Sequence, residues 1–170
     1  TYYLILTTYL KMNWLLLLIC CIASRLLTSI YYIEDPDSLR FALAVLDYDV
    51  ARMQPHFPAY PVFCGLVKLF LLALPRYALA FSVVGGLATF TIIYSGVQIL
   101  KHFKSTSFWQ WIFALLIFWN PLIWLLGNRY MPDLMGVAVV MFALYIWLYY
   151  DKISNRFIDF KPYSYHKILY

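Results

Sequence analysis

The sequence predicts an all-α protein, a polytopic bundle of about four transmembrane helices. Of its 170 residues, 64% are apolar and 12% are charged, whereas an ordinary soluble domain has about 25% charged residues. A soluble domain this small could not bury so much apolar surface, because small domains keep much of their chain near water. The basic residues are dispersed among apolar runs, so the net charge of +5 does not indicate nucleic-acid binding.

Four apolar runs come close to the roughly 20 residues that a spanning helix needs. They cover residues 14–33, 77–100, 108–126 and 134–150, the last being the shortest. In the second run, Gly85, Gly86 and other small residues predict close packing against neighbouring helices. In the third run, Asn120 and Pro121 predict a kink, because proline lacks a backbone donor.

The apolar run 61–74 is only about 14 residues long and carries Lys68, which favours an interfacial or re-entrant helix. If the run 61–74 does not cross the membrane, the basic residues near the other spans fall on the cytoplasmic side, as the positive-inside rule requires. We therefore expect cytoplasmic termini, a transmembrane module over residues 1–150 and a cytoplasmic interfacial tail or truncated loop over 151–170. The basic residues in question are Lys11, Lys101, Lys104, Lys152 and Arg156.

Arg25 is a charged residue inside the first apolar run. A charge within a membrane span indicates function by default. Near a helix end, however, a long basic side chain can also extend to the membrane surface. Both interpretations stay open at this point.

The first outer loop begins with Glu34, Asp35, Pro36 and Asp37, followed by apolar residues at helical spacing. Asp35 suits an N-cap, Pro36 the first helical position, and Asp37 the positive end of the helix dipole. The helix is amphipathic and is predicted to lie in the membrane interface. A second interpretation, which is compatible with capping, is that one of these acids acts as a general base for an acceptor hydroxyl. The apolar positions are Leu39, Leu43, Leu46, Val50 and Met53.

Two further groups of polar residues are predicted to reach the same aqueous surface. Arg52 and His56 belong to a proline-rich stretch whose three prolines, at positions 55, 58 and 61, stiffen the backbone. Arg129 and Asp133 lie in the short loop before the fourth span, and Asp133 suits the cap of that helix. In a four-span topology all of these residues lie on one face of the membrane.

At these residues the chain resembles the GT-C glycosyltransferases, which use lipid-linked sugars. The similarity is greatest to the protein O-mannosyltransferases and the aminoarabinose transferases of lipid A. The acidic motif Asp35-Pro36-Asp37 is followed by Phe41-Ala42, and a proline-rich motif with a basic residue, here His56, comes next. Asp133 matches a later acid that opens a helix. The resemblance covers residues 12–150 and implies juxtamembrane helices in the first outer loop.

The resemblance implies an inverting transfer of a sugar from a polyprenyl-phosphate carrier to a glycan, lipid or protein acceptor. Asp37 is the expected base, with Asp35 or Glu34 as substitutes. Arg52, His56 and Arg129 are expected to bind the donor phosphate, and Asp133 to orient the acceptor or bind a metal. Some such enzymes need a divalent cation and others do not, and acids of this kind can bind one. The site would face outward from a bacterial plasma membrane, in contact with membrane lipids.

Two other functions stay open. A transporter or lipid-carrier flippase would place its polar residues near the middle of the bilayer, whereas the acids here cluster in the loops. A non-catalytic membrane protein is the second alternative. GT-C enzymes have about a dozen spans, so the chain is expected to be the N-terminal part of a longer protein.

Overall fold

A computed structural model describes residues 12–159, with side chains described as far as residue 150. Within this part of the chain the secondary structure consists of α-helices, one short 3-10 turn, Val50–Arg52, and one isolated bridge between Asp49 and Gln54. The all-α prediction is therefore confirmed. The helices are α1 (Trp14–Leu27), α2 (Pro36–Leu46), α3 (Pro61–Leu71), α4 (Tyr77–His102), α5 (Ser107–Phe118), α6 (Pro121–Asn128) and α7 (Asp133–Asp159).

Two helices, α4 and the first 18 residues of α7, are long and apolar enough to cross a membrane. The pair α5 and α6 makes a third span if it is counted as one bent segment, with an angle of 52° between the two helices. The bend lies at the predicted position. Asn120 caps α6, accepting from the backbone N–H of Leu122 at 2.9 Å, and Pro121 occupies the first helical position.

The first predicted span is wrong in its extent, because α1 has only 14 residues and ends at Leu27. Hydroxyl groups close the helix: Thr28 donates to the carbonyl of Ser24, and Ser29 to that of Arg25. Such bonds compete with the continuation of a helix. Residues 28–35 therefore run as an irregular segment, which carries the exposed Tyr31 and Tyr32.

Helix α4 is the centre of the bundle and packs against α1, α3, α5, α6 and α7. Its small residues permit this, as predicted. A Cβ added to Gly85 would lie 1.7 Å from the carbonyl oxygen of Gly127 in α6. A Cβ added to Gly86 would lie 2.8 Å from the Cα of Ile22 in α1. Backbones approach this closely only where side chains are absent.

Helices α4 and α7 run in the same direction, since Ala88 and Ile92 pack near Leu134 and Ala138, while Tyr94 contacts Tyr145 further along. The starts of both helices, the connection of α1 to α2 and the connection of α6 to α7 lie together at one end of the bundle. We call this the site end. The connection of α4 to α5 lies at the opposite end.

Helices α2 and α3 form the predicted juxtamembrane layer at the site end. Phe41 of α2 packs against Phe63 of α3, and Phe63 packs against Phe81 of α4. Helix α3 has 11 residues, too few to cross a bilayer core of about 30 Å. It is therefore a helix of the loop and not a span. The tail predicted at 151–170 is helical as far as Asp159, and its remainder lies outside the described residues.

Arg25 is completely buried among α1, α4 and α6, so the interpretation that it extends to the membrane surface is wrong. Its guanidinium carbon lies 4.2 Å from the centre of the Trp124 ring, and Nη2 donates to the hydroxyl of Thr89 at 3.4 Å. A cation over an indole ring is attracted by the negative face of the ring. The arginine thus joins three helices inside the bundle.

Candidate functional site

The site end is held together by bonds between the α1–α2 and α6–α7 connections. Asn128 donates from Nδ2 to both the carbonyl and the hydroxyl of Thr28, at 3.0 and 2.9 Å. Two residues later, the Tyr130 hydroxyl donates to the carbonyl of Ile30 at 2.6 Å. These pairs are 100 positions apart in sequence. The two predicted polar loops therefore meet on one face.

Arg129 binds both acids that precede α2. Its Nη2 lies 2.5 Å from Oδ2 of Asp35, and its Nε lies 2.9 Å from Oε2 of Glu34, although that N–H is not aligned for a hydrogen bond. All three side chains are about three-quarters buried, so water screens the ion pairs less than on an open surface. Arg129 is thus committed to these carboxylates in the described structure.

Asp35 is the N-cap of α2, as the capping interpretation predicts. Its Oδ1 accepts from the backbone N–H of Ser38 at 2.8 Å, and Oδ2 accepts from the Ser38 hydroxyl at 3.0 Å. The backbone hydrogen bond is the largest cause of a pKa below the usual value for this carboxyl; the Ser38 hydroxyl and Arg129 act in the same direction, and burial opposes them. Asp35 is therefore a stable anion and a poor proton acceptor.

The pKa of Arg129 reflects the same pairing from the other partner. Burial acts to lower it, but the hydrogen bond that Arg129 donates to Asp35 and the charges of Asp35 and Glu34 outweigh burial and raise it above its usual value. Glu34, Asp35 and Arg129 therefore form a fixed ion triad that orients the start of α2.

Asp37 is the second residue of α2, two positions after Asp35, and it has different neighbours. Arg40 Nη1 lies 3.2 Å from its Oδ1, and His56 Nδ1 lies 3.6 Å from the same oxygen. Neither contact uses Oδ2. We call Asp37, Arg40 and His56 the acid–histidine cluster. The Asp37 side chain is 45% exposed, so a substrate can reach it.

Aromatic rings hold His56 in position. Its ring lies 5.2 Å from that of Phe41 and 6.4 Å from that of Tyr60, in edge-on arrangements. Phe41 is fully buried, which fixes the first of these contacts. The loop is closed by a bond from the Tyr48 hydroxyl to the carbonyl of Ala59 at 3.1 Å. The histidine is thus presented to Asp37 by a packed loop, as the proline-rich sequence suggests.

Two predicted site residues lie apart from this cluster. Arg52 pairs with Asp49 at 3.1 Å and with Asp47 at 3.5 Å, and its side chain is exposed. Asp133 is exposed at the first turn of α7 and makes no ion pair with the described residues. It shares the site end with Asp37 but not a contact. Arg40 is not among the predicted site residues, although its spacing of three from Asp37 on one helix is a usable signal.

The described residues contain no group of three or more His, Cys, Asp or Glu side chains arranged to hold a metal ion. What the site end offers instead is one accessible carboxylate with two potential cations beside it. Such a set can accept a proton and bind an anionic group within the same few ångströms.

Comparison with protein-family profiles, with curated proteins and with solved structures finds no match for this chain.

Proposed function

We propose that this chain is a multi-pass membrane glycosyltransferase module of the GT-C type. It would transfer a sugar from a polyprenyl-phosphate carrier to a glycan, lipid or protein acceptor on the extracytoplasmic face of a bacterial plasma membrane. The observation that carries the proposal is the acid–histidine cluster, in which an accessible carboxylate lies beside Arg40 and His56 at one end of an apolar bundle. A lipid-borne phosphate and an aqueous acceptor can meet at such a position.

In the proposed reaction, Asp37 accepts the proton of the acceptor hydroxyl through its uncommitted Oδ2. The acceptor oxygen then attacks the anomeric carbon from the face opposite the phosphate, which inverts the configuration. The bond from that carbon to the phosphate oxygen breaks, and the lipid phosphate leaves with the electron pair. The charge of Arg40 and a hydrogen bond donated by His56 offset the charge that develops on the phosphate.

The remaining site residues take supporting roles in this proposal. Glu34 and Asp35 are bound to Arg129 and orient α2, so neither is the first candidate for the base. Arg129 and Arg52 each pair with two carboxylates, whereas Arg40 pairs with Asp37 alone, so Arg40 and His56 are better placed to bind phosphate beside the proposed base. Asp133 is available to orient the acceptor or to share a cation with the substrate.

The test is sugar transfer by membranes containing the chain, with a panel of polyprenyl-phosphate sugars as donors. Asp37→Asn removes the proton acceptor but keeps the shape of the side chain, so transfer should fall about a hundredfold or more. Asp47→Asn is the matched control, because Asp47 is also an exposed acid paired with an arginine. Transfer by the control should stay near that of the unmodified chain.

Equal transfer by the Asp37→Asn and unmodified chains, at equal expression, would reject Asp37 as the base. Absence of transfer from every donor by the unmodified chain would reject the proposed activity itself. The inversion is checked separately by determining the anomeric configuration of the product.

A lipid-carrier flippase is the runner-up, and one observation favours it. Arg25 is buried in the bundle, and its Nε and Nη1 atoms have no hydrogen-bond partner within the described residues. Intramembrane charges often line the path of a polar substrate. Loss of lipid translocation in vesicles on Arg25→Gln, with Asp37→Asn unaffected, would favour this alternative over the transferase.

A further inference from the structure

A groove of about 450 Å³ lies between α2 and the start of α4, at the site end. Its walls are mainly apolar and include Leu39, Leu43 and Leu46 of α2 and Tyr77 and Ala78 of α4. Tyr31, Arg76 and Tyr130 also line it. Its volume is in the range of small-molecule sites. Apolar walls of this kind select a hydrocarbon occupant.

Helix α2 has two different apolar faces, and only one of them is covered by protein. Phe41, Ala44 and Val45 are buried against α3 and α4. The leucines of the groove point the other way, and Leu46 is 62% exposed. The part of the predicted apolar stripe that lies on α2 is therefore the face that the protein leaves uncovered, whereas Val50 and Met53 lie beyond the end of the helix. An amphipathic helix at a membrane surface places such a face among lipid chains.

Arg76 provides a charge at the edge of the groove. It is exposed, immediately precedes α4, and lies with its guanidinium carbon 5.5 Å from the centre of the Tyr31 ring. No carboxylate pairs with it within the described residues. Because α4 is long enough to span a membrane, its first residue lies near the boundary of the hydrocarbon core. Lipid phosphates lie at that depth, and tyrosines are enriched there.

We propose that this groove binds one anionic phospholipid of the bilayer, with an acyl chain along the α2 leucines and the phosphate against Arg76. The charge of Arg76 complements the phosphate, and the apolar walls complement the chain. The bound lipid completes the packing between α2 and α4, which the protein alone leaves open. It would thereby hold α2 in the membrane interface.

The faces of α2 distinguish this lipid from a sugar carrier. Asp37, Arg40 and Phe41 lie on the face that meets His56, whereas Leu39, Leu43 and Leu46 lie on the opposite face at helical spacing. A lipid in the groove therefore keeps its phosphate on the far side of α2 from the acid–histidine cluster. This inference does not depend on the proposed transferase function.

The test is native mass spectrometry of the 170-residue chain, released from nanodiscs that contain equal parts of phosphatidylglycerol and phosphatidylcholine. One phosphatidylglycerol should stay bound. Arg76→Gln removes the charge, and Ala42→Trp fills the groove from α2. Each variant should retain about tenfold less of this lipid, since a charge-assisted contact or the space for the chain is lost.

The control variants change equivalent residues elsewhere. Arg52→Gln removes an exposed arginine outside the groove, and Ala23→Trp enlarges an exposed alanine on α1. Both should retain phosphatidylglycerol as the unmodified chain does. Equal loss in the controls, or equal retention in all variants, would overturn the proposal.

A second measurement needs no variant. Phosphatidylglycerol with a photoreactive group in its acyl chain should label peptides containing residues 39–46 and 77–78 of the unmodified chain. Labelling that avoids both segments would contradict the assignment. If polyprenyl phosphate displaces the label at equal concentration, the groove belongs to a prenyl carrier and the phospholipid assignment fails.

Discussion

Helices α4 and α7 are equally apolar but are buried to very different extents. Their most apolar 18-residue windows have the same mean hydropathy, 1.7, yet 67% of the α4 window and only 11% of the α7 window is buried inside the protein. Hydropathy predicts that a helix will leave water; it does not predict whether lipid or protein will surround it. The size of the side chains decides that.

The glycines of the two helices illustrate the difference. A Cβ on Gly85 or Gly86 of α4 would clash with the backbone of another helix, whereas a Cβ on Gly136 of α7 would meet nothing within 4 Å. Between residues 133 and 150, where its side chains are described, helix α7 carries exposed residues such as Val140 and Trp147. In a membrane, association depends on close packing of small residues, because lipid covers large apolar ones equally well.

Gly85→Ala is expected to have the largest effect on stability. The added carbon would lie 1.7 Å from a backbone oxygen of Gly127, so α4 and α6 would have to separate. We expect a loss of about 4 kcal/mol in the free energy of unfolding, above the ordinary cost of overpacking. Unfolding by detergent titration measures it. Gly136→Ala is the control and should change stability by less than about 0.5 kcal/mol.

Phe81→Ala and Phe142→Ala compare a large side chain on each helix. Phe81 of α4 is 2% exposed and contacts Phe63 and Tyr130, whereas Phe142 of α7 is 43% exposed. The first substitution leaves a cavity and should cost about 3 kcal/mol. The second shortens an exposed side chain and leaves no enclosed cavity, so its cost should be below about 1 kcal/mol. Equal losses in the free energy of unfolding, measured by the same detergent titration, would contradict the expectation that buried side chains of α4 stabilise the fold more than exposed side chains of α7.

Asp35→Asn tests the ion pair between Asp35, at the start of α2, and Arg129, in the connection just before α7. Asp35 has a pKa below its ordinary value of 3.8 in the folded chain, so the unfolded chain takes up its proton first on acidification. The stabilisation is therefore complete well above pH 3.8 and is lost as the pH falls through the folded pKa. At neutral pH the asparagine can still cap α2 but loses the charge paired with Arg129, so the substitution should cost about 2 kcal/mol, the usual range for a hydrogen bond to a charged group.

The pH dependence of that cost is the measurement. The difference in stability between Asp35→Asn and the unmodified chain should shrink as the pH is lowered below 3.8. Asp47→Asn, at an exposed ion pair, should cost little at any pH. A cost for Asp35→Asn that is independent of pH would mean that the carboxylate charge is not what stabilises the start of α2.

The sequence predicts the elements that local chemistry determines. Asp35 and Pro36 begin α2, Asn120 and Pro121 break the third apolar segment, and the small residues of α4 place it in the centre. Each of these depends on a residue type whose backbone or packing preference is strong. The prediction that α3 does not cross the membrane also follows from the length of its apolar run alone.

The sequence does not predict features that depend on distant partners. Helix α1 ends early because Thr28 and Ser29 bond back to it, and Thr28 is also bound by Asn128, 100 positions away. The pairing of Arg129 with Glu34 and Asp35 likewise required two loops to meet. The apolar stripe of α2 was visible, but its uncovered state depends on α3 and α4 packing against the other face.

Cross-linking between the α1–α2 and α6–α7 connections tests the central claim, that these loops meet at the site end. Thr28 and Asn128 are changed to cysteine in a chain whose own cysteines, Cys20, Cys21 and Cys64, are changed to alanine. The side chains of positions 28 and 128 lie 2.9 Å apart. A short bifunctional thiol reagent should therefore link them in membranes. The control places cysteines at positions 28 and 103, at opposite ends of the bundle.

Efficient linkage of the pair 28 and 128 with none for the control is the predicted result. Linkage of neither pair, with both cysteines reactive to a monofunctional reagent, would contradict the convergence of the two loops. The acid–histidine cluster and the ion triad would then not belong to one site.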